Sequence, residues 1–244
     1  MLAVFVNCGS IILGSLIGLI FARKITNDLS NIVQSAAGVV TIVIGLEMAF
    51  EYQNIIFLAI ALIAGGIIGS LVDIDGKILA FGDFLGKLVL RKKTQDLVSR
   101  ENTVNENGKS NFAYAFLNAS VLFCVGAMAI LGSLKAGIEK DYTLIFTKSV
   151  LDGFMAIVFT AAMGGGTAFS AITVFIYQGA LTLLAGLVAP YADEVLIAEL
   201  TASGGALIIM MGINLLGLKQ IKTANYLPAV ILSVVFVLVQ RMFF

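Results

Sequence analysis

Apolar residues fall into eight long blocks separated by charged or polar clusters: approximately Leu2 to Ala22, Gln34 to Phe50, Asn54 to Val72, Ala113 to Leu134, Thr143 to Met163, Thr167 to Ala189, Leu196 to Leu218 and Tyr226 to Phe244. A hydrocarbon core about 30 Å thick needs about 20 mainly apolar residues per spanning helix, and each block is near that length. Leu, Ile, Val and Phe fill the blocks without the alternation of a barrel strand, which predicts helices. The pattern predicts an all-α, polytopic membrane protein with about eight transmembrane helices. The first block starts directly after Met1, with no basic stretch before it and no small-residue cleavage site before the next block. It is expected to remain a span and not to be removed as a signal peptide.

One substantial polar stretch interrupts the pattern, between the third and fourth blocks. Its first part, DIDGKILAFGDFLGKLVLRKK from Asp73, sets Ile74, Ile78, Phe81, Leu85, Leu88 and Val89 at roughly helical spacing beside Lys77, Lys87 and Arg91. That suits a helix lying in the cytoplasmic interface with its basic side chains near anionic headgroups; the plainer reading is an amphipathic connector with no separate role. The second part, TQDLVSRENTVNENGKSN, has no apolar period and reads as a cytoplasmic loop, spanning about 91–112.

Composition narrows the chemistry. The chain is 59% hydrophobic and 12% charged, with no His and a formal net charge of zero. Without His there is no imidazole base, no His-ligated metal and no Ser-His-Asp triad. Cys8 and Cys124 are too few for a disulfide framework or a thiolate cluster and read as small packing residues. No nucleophile–base pair and no Walker-type phosphate loop is visible, so neither an enzyme nor a direct ATP-driven pump is expected. No cofactor and no nucleic-acid partner is expected either. Eleven of the 15 basic residues flank one side of the spans, among them Arg23, Lys24, Arg91, Lys92, Lys93, Lys219 and Lys222, against Lys135, Lys140, Lys148 and Arg241 on the other. By the positive-inside rule the first set is cytoplasmic and both termini lie outside.

Two segments resemble each other across the chain: QSAAGVVTIVIGLEMAF from Gln34 and TASGGALIIMMGINLLG from Thr201. Gly38 meets Gly205, Ile42 meets Ile209, Gly45 meets Gly212 and Glu47 meets Asn214. ILGSLIGLIFA, ending at Ala22, sets loosely against LTLLAGLVAP, ending at Pro190. Helices one, two and three thus correspond to six, seven and eight. Five spans separate the equivalents, an odd number, so they cross in opposite directions, as in inverted-repeat transporters. The organisation expected is a single membrane domain over 1–244: repeat one about 2–72, the interfacial helix and loop about 73–112, linking helices about 113–163, and repeat two about 167–244.

Ionisable groups inside spans are functional candidates because each costs at least about 2.5 to 3.5 kcal/mol at the helix centre. Asp152 is the deepest, about nine residues into its span, and Lys148 lies one turn before it. The pair reads either as an ion pair fixing the helix or as a cation or proton site with an internal counter-ion. Glu47 and its equivalent Asn214 sit near opposite ends of their spans, and Asn118 and Gln178 are further candidates, among neutral polar residues that also include Asn7, Ser120, Thr160, Ser170 and Tyr177. Gly164, Gly165 and Gly166 form either a tight hairpin or an unwound segment entering the membrane. Gly14 with Gly18, and Gly65 with Gly69, read as helix contacts that also make a homodimer or higher homo-oligomer plausible.

FLNASVLFCVGAMAILGSLKAG from Phe116, KSVLDGFMAIVF from Lys148 and YQGALTLLAG from Tyr177 resemble the YdfK/YqgA-type bacterial integral membrane family, a domain of unknown function. The likeness extends from VNCGSIILGSLIG near the start to ELTASGGALIIMMGINLLGLKQIKTANYLPAVIL near the end. It implies a bacterial plasma (inner) membrane protein and no mechanism.

Together these readings favour a transporter for a small solute or inorganic ion, proton- or cation-coupled, over a homo-oligomeric channel or a non-transporting scaffold. Orientation is directly testable in a chain with Cys8 and Cys124 replaced by Ala. A membrane-impermeant maleimide added to intact cells should label Lys140→Cys and spare Lys219→Cys until the cells are opened; the reverse pattern inverts the topology.

Overall fold

The computed structural model of the chain describes residues 1–24, 27–90 and 111–243, and no strand occurs among them. The long helices are α1 (Leu2–Lys24), α2 (Asn27–Ala49), α3 (Ile55–Val72), α4 (Ile74–Leu90), α5 (Asn111–Cys124), α6 (Ala127–Ile138), α7 (Thr143–Met163), α8 (Gly166–Leu183), α9 (Glu194–Leu215) and α10 (Leu227–Phe243). Among the described residues seven of these are long and apolar enough to cross a membrane, and α5 with α6 passes the same test as a pair bent by 60°. The fourth apolar block, expected as one continuous span, is therefore broken near its middle. The expected polar loop lies, over 91–110, outside the described residues.

Local chemistry sets the helix ends. Asn54 caps α3 by accepting the Ile56 N–H at 2.9 Å, and Asp193 caps α9 by accepting from Leu196 at 2.9 Å, both as N-cap preferences dictate. Asp141 accepts the Thr143 N–H at 3.0 Å where α7 begins. Those hydrogen bonds hold its carboxyl below the usual range, so the cap is present above that range and is lost as pH falls through the lowered value. Asp73, at φ 49°, separates α3 from α4. α4 is amphipathic as its spacing predicts: Leu79 is buried, Phe81 stacks on Phe116 with centroids 6.2 Å apart, and Lys77 is exposed.

Close helix contacts show how the bundle is wound. Gly14 lies against the Gly153 backbone and Gly18 against Ile157, so α1 runs parallel to α7. Phe5 stacks on Phe175 at 5.5 Å and the Cys8 thiol donates to the Ala171 carbonyl at 3.4 Å, so α1 runs antiparallel to α8. In the same way Gly38 meets Gly212 and Gly45 meets Gly205, and Gly65 meets Ala229 while Gly69 meets Asn225. α2 is thus antiparallel to α9, and α3 to α10. The parallel course of α1 and α7 requires an odd number of crossings between them; with α2 and α3 counted, α5 and α6 together must make one net crossing.

The outer surface is apolar, with Leu71, Val150 and Leu187 each more than 70% exposed, while Asn7, Gln178 and Glu199 are turned inward. That inversion of the soluble pattern is what a lipid solvent demands. Small residues replace the hydrophobic effect as the means of close approach: a Cβ added to Gly205 would stand 2.4 Å from the Ala49 backbone nitrogen. Gly205→Val should therefore lower the detergent melting temperature, by about 1–3 kcal/mol of overpacking. Gly9→Ala, where nothing lies within 4 Å, should leave it unchanged.

Candidate functional site

The i, i+4 spacing on α7 brings Lys148 and Asp152 onto one face, and they form an ion pair with both side chains almost fully buried. Asn7 of α1 donates from Nδ2 to Asp152 Oδ2 and to Gln178 Oε1 of α8, each at 3.0 Å. Asn7 and Gln178 have no exposed surface. The Lys148 ammonium lies 6.0 Å from the Phe123 ring centroid on α5, at the edge of cation–π range. Four helices thus converge on one charged pair. Each partner offsets the other's desolvation, and Asn7, itself held by Gln178, supplies a hydrogen bond of the kind a buried pair needs.

The broken span passes beside this cluster. Gly126 has φ 122° and ψ 153°, a conformation that side chains exclude, and the Ala129 and Ile130 N–H groups return to its carbonyl at 3.1 and 3.4 Å. Val125 is wedged against Gly204 of α9, where a Cβ would stand 1.8 Å from its Cγ1. Gly132 of α6 touches Leu144 and Ile145 of α7. Phe123, whose ring lies 6.0 Å from the Lys148 ammonium, is three residues before Gly126. Irregular backbone at such depth belongs where protein or a polar path surrounds it.

Several buried polar atoms in this region have no hydrogen-bond partner. Asn7 Oδ1 and Gln178 Nε2 are in the cluster itself, and Ser15 Oγ, Thr160 Oγ1, Asn118 Oδ1 and Thr167 Oγ1 continue along the same helices. An unmet buried polar atom costs about 1–3 kcal/mol, so a seam of them marks a place suited to polar ligands.

Of the residues singled out from sequence, Asp152, Lys148 and Gln178 meet in the cluster. Asn118 is buried on α5, its amide 3.9 Å from the Met163 sulphur. Asn214 belongs to a turn at the end of α9, where its side chain donates to the Ile221 carbonyl at 2.8 Å and accepts from the Ile221 N–H at 2.7 Å. Glu47 is exposed, near Glu51, whose carboxyl is pushed up by partial burial and then by the Glu47 charge. Gly164 to Gly166 form a tight hairpin between α7 and α8, with Gly164 at φ 100° and its N–H on the Thr160 carbonyl at 2.9 Å. Gly166 packs on the Phe112 backbone at the start of α5. No group of three or more His, Cys, Asp or Glu suited to a metal occurs among the described residues.

Asn7 and Gly126 carry more of the site than the sequence pattern suggests, and Glu199 was not singled out at all. Glu199 is 1% exposed on α9; Oε1 accepts the Gln53 and Asn54 N–H groups at 3.0 and 2.7 Å, while Oε2 has no partner. Its carboxylate sits at the N-terminus of α3, where negative charge is favoured. An acid within the seventh apolar block was the signal for it. On the opposite side Asp75 accepts from the Ala224 N–H at 3.4 Å and its own N–H donates to Asn225 Oδ1 at 2.9 Å, tying α4 to the turn before α10.

A family model described as a protein of unknown function (DUF554) matches residues 2–238. The uncharacterized membrane protein YdfK of Bacillus subtilis (strain 168) is 31% identical over 241 residues, which cover 97% of this chain and 96% of that protein. The uncharacterized protein YqgA of Escherichia coli (strain K12) is 25% identical over 231 residues, covering 94% and 93%. No solved structure matches the chain.

Truncating Glu199 orphans two backbone donors. Glu199→Ala should cost about 1–3 kcal/mol and speed hydrogen exchange at Gln53 and Asn54 selectively. Glu199→Gln, which keeps an acceptor oxygen, should show a smaller effect; equal exchange in all three proteins removes the clamp.

Proposed function

The chain belongs to the DUF554 family of proteins of unknown function and is a multi-pass membrane protein; from that premise we propose that it transports a small solute or inorganic ion through the Asn7–Lys148–Asp152–Gln178 cluster. The observation that carries the reading is a charged pair held inside a membrane bundle beside a broken span. A structural ion pair needs no break in its neighbour and no unmet amides. Broken helices beside ionisable groups are how secondary transporters bring backbone and side-chain ligands to a buried site.

The inverted-repeat organisation is part of the same proposal. It is supported by the way the equivalent helices pair, α1 with α8, α2 with α9 and α3 with α10, each antiparallel. The contacts of Gly38 with Gly212 and of Gly45 with Gly205 exchange with each other when the two repeats are swapped, since Gly38 corresponds to Gly205 and Gly45 to Gly212. Such an exchange is the mark of a two-fold axis in the membrane plane, about which one half can rock against the other. We place the protein in the bacterial plasma membrane with both termini outside.

Purified protein reconstituted in liposomes tests the reading. Asp152→Asn should abolish coupled flux, as should Lys148→Gln, and each should melt below the wild type by about 3–5 kcal/mol because the remaining charge is left buried without its partner, so flux is compared in the folded fraction. Full coupled flux in a folded Asp152→Asn protein would remove this carboxylate from the mechanism.

A further inference from the structure

Resting on the transport reading above, we propose that the cluster carries a small monovalent anion together with a proton, the proton on Asp152 and the anion on Lys148. The argument begins with charge balance. Lys148 and Asp152 are 5% and 7% exposed, and their remaining partners, Asn7 and Gln178, are neutral amides. An uncompensated charge at such a site costs several kcal/mol, so a loaded site must sum to zero as the empty one does. For a single charged ligand, two loadings satisfy this. An anion enters as Asp152 gains a proton, or a cation enters as Lys148 loses one.

The donor inventory favours the first. Asp152 Oδ2 now receives both the Lys148 ammonium and Asn7 Nδ2. Protonating the carboxylate removes the charge that holds them and frees two donors. Gln178 Nε2 is a third, buried and without a partner. A monovalent cation entering as Lys148 loses its proton needs several oxygen ligands to replace its water. Here it would find Asp152 and Asn7 Oδ1, because Gln178 Oε1 is already taken by Asn7.

The other titratable groups near Asp152 do not disturb this balance. Cys8 of α1, whose thiol donates to the Ala171 carbonyl at 3.4 Å, Cys124 at the end of α5 and Tyr177 of α8 are titratable side chains on the helices around Asp152. Glu47 of α2 and Lys135 of α6 are exposed. The proton arrives from bulk water on one side, resides on the Asp152 carboxyl while the anion is bound, and leaves with it on the other. Lys148 keeps its charge throughout.

The test uses full-length protein in liposomes containing a pH-sensitive dye, with voltage clamped by potassium and valinomycin. Inward gradients of chloride, nitrate, formate, lactate or pyruvate are imposed as sodium or choline salts, with empty liposomes subtracted. At least one anion should acidify the lumen about tenfold faster than background, equally with either cation; tenfold corresponds to about 1.4 kcal/mol. For that anion, Asp152→Asn should retain exchange of labelled anion while losing acidification, and Lys148→Gln should lose both. Gln178→Leu, which leaves the ion pair intact, should raise the half-saturating anion concentration about tenfold and keeps the proposal testable where the charge variants do not fold. Proton movement that follows sodium and not the anion overturns the proposal and leaves transport standing, as does anion conductance without proton movement. Absence of any solute or ion flux overturns both.

Discussion

Two opposite charges one turn apart on α7 set the terms for the rest of the bundle. Neither Lys148 nor Asp152 can face lipid, and neither can be buried alone, so the helix has to be enclosed and its polar face supplied with partners. α1 does most of the enclosing, running parallel along α7 through Gly14 and Gly18 and placing Asn7 on the carboxylate. α8 follows because Asn7 has a second hydrogen to place, and Gln178 accepts it. The glycines of α1 and the amide six residues into it are therefore parts of one requirement: backbone close enough to α7 for a short side chain to reach across.

A second requirement comes from the backbone itself. In a bilayer every peptide group must be satisfied locally, so a break in a span has to be supported from outside the helix. At Val125 and Gly126 the support is steric: Val125 is held in the notch left by Gly204, and Met48 of α2 closes over Gly126. α2 and α9, joined along their own glycines, form the wall against which span four bends. α5 also borders the charged pair, since Phe123, two residues before Val125, has its ring centroid 6.0 Å from the Lys148 ammonium.

The spans, the amphipathic helix after the third of them and the buried ion pair were legible in the sequence because hydropathy, helical spacing and the rarity of charge encode them directly. The break was not. Phe116 to Gly137 is apolar throughout apart from a few small polar residues and Lys135, and nothing in that pattern distinguishes a glycine at φ 122° from one packed in a straight helix. Asn7 was read as one neutral polar residue among several, since its role depends on partners far along the chain. Glu47 and Asn214, equivalent in sequence, diverge in structure: the loop after Asn214 is held by Asn214 itself, whereas the loop after Glu47 is held by Glu199 from the other half. Repeat logic identifies corresponding positions and is silent about which carboxylate reaches them.

The parallel seating of α1 on α7 also has a meaning in time. Asn7 finds its partners 145 and 171 residues later in the chain, so during synthesis the first helix stands in the bilayer with that amide unmatched while α2, α3 and the polar stretch beyond them are made. Its long apolar run lets it wait there. Gln178 lies 171 residues after Asn7, so the cluster cannot be complete until α8 has been laid down.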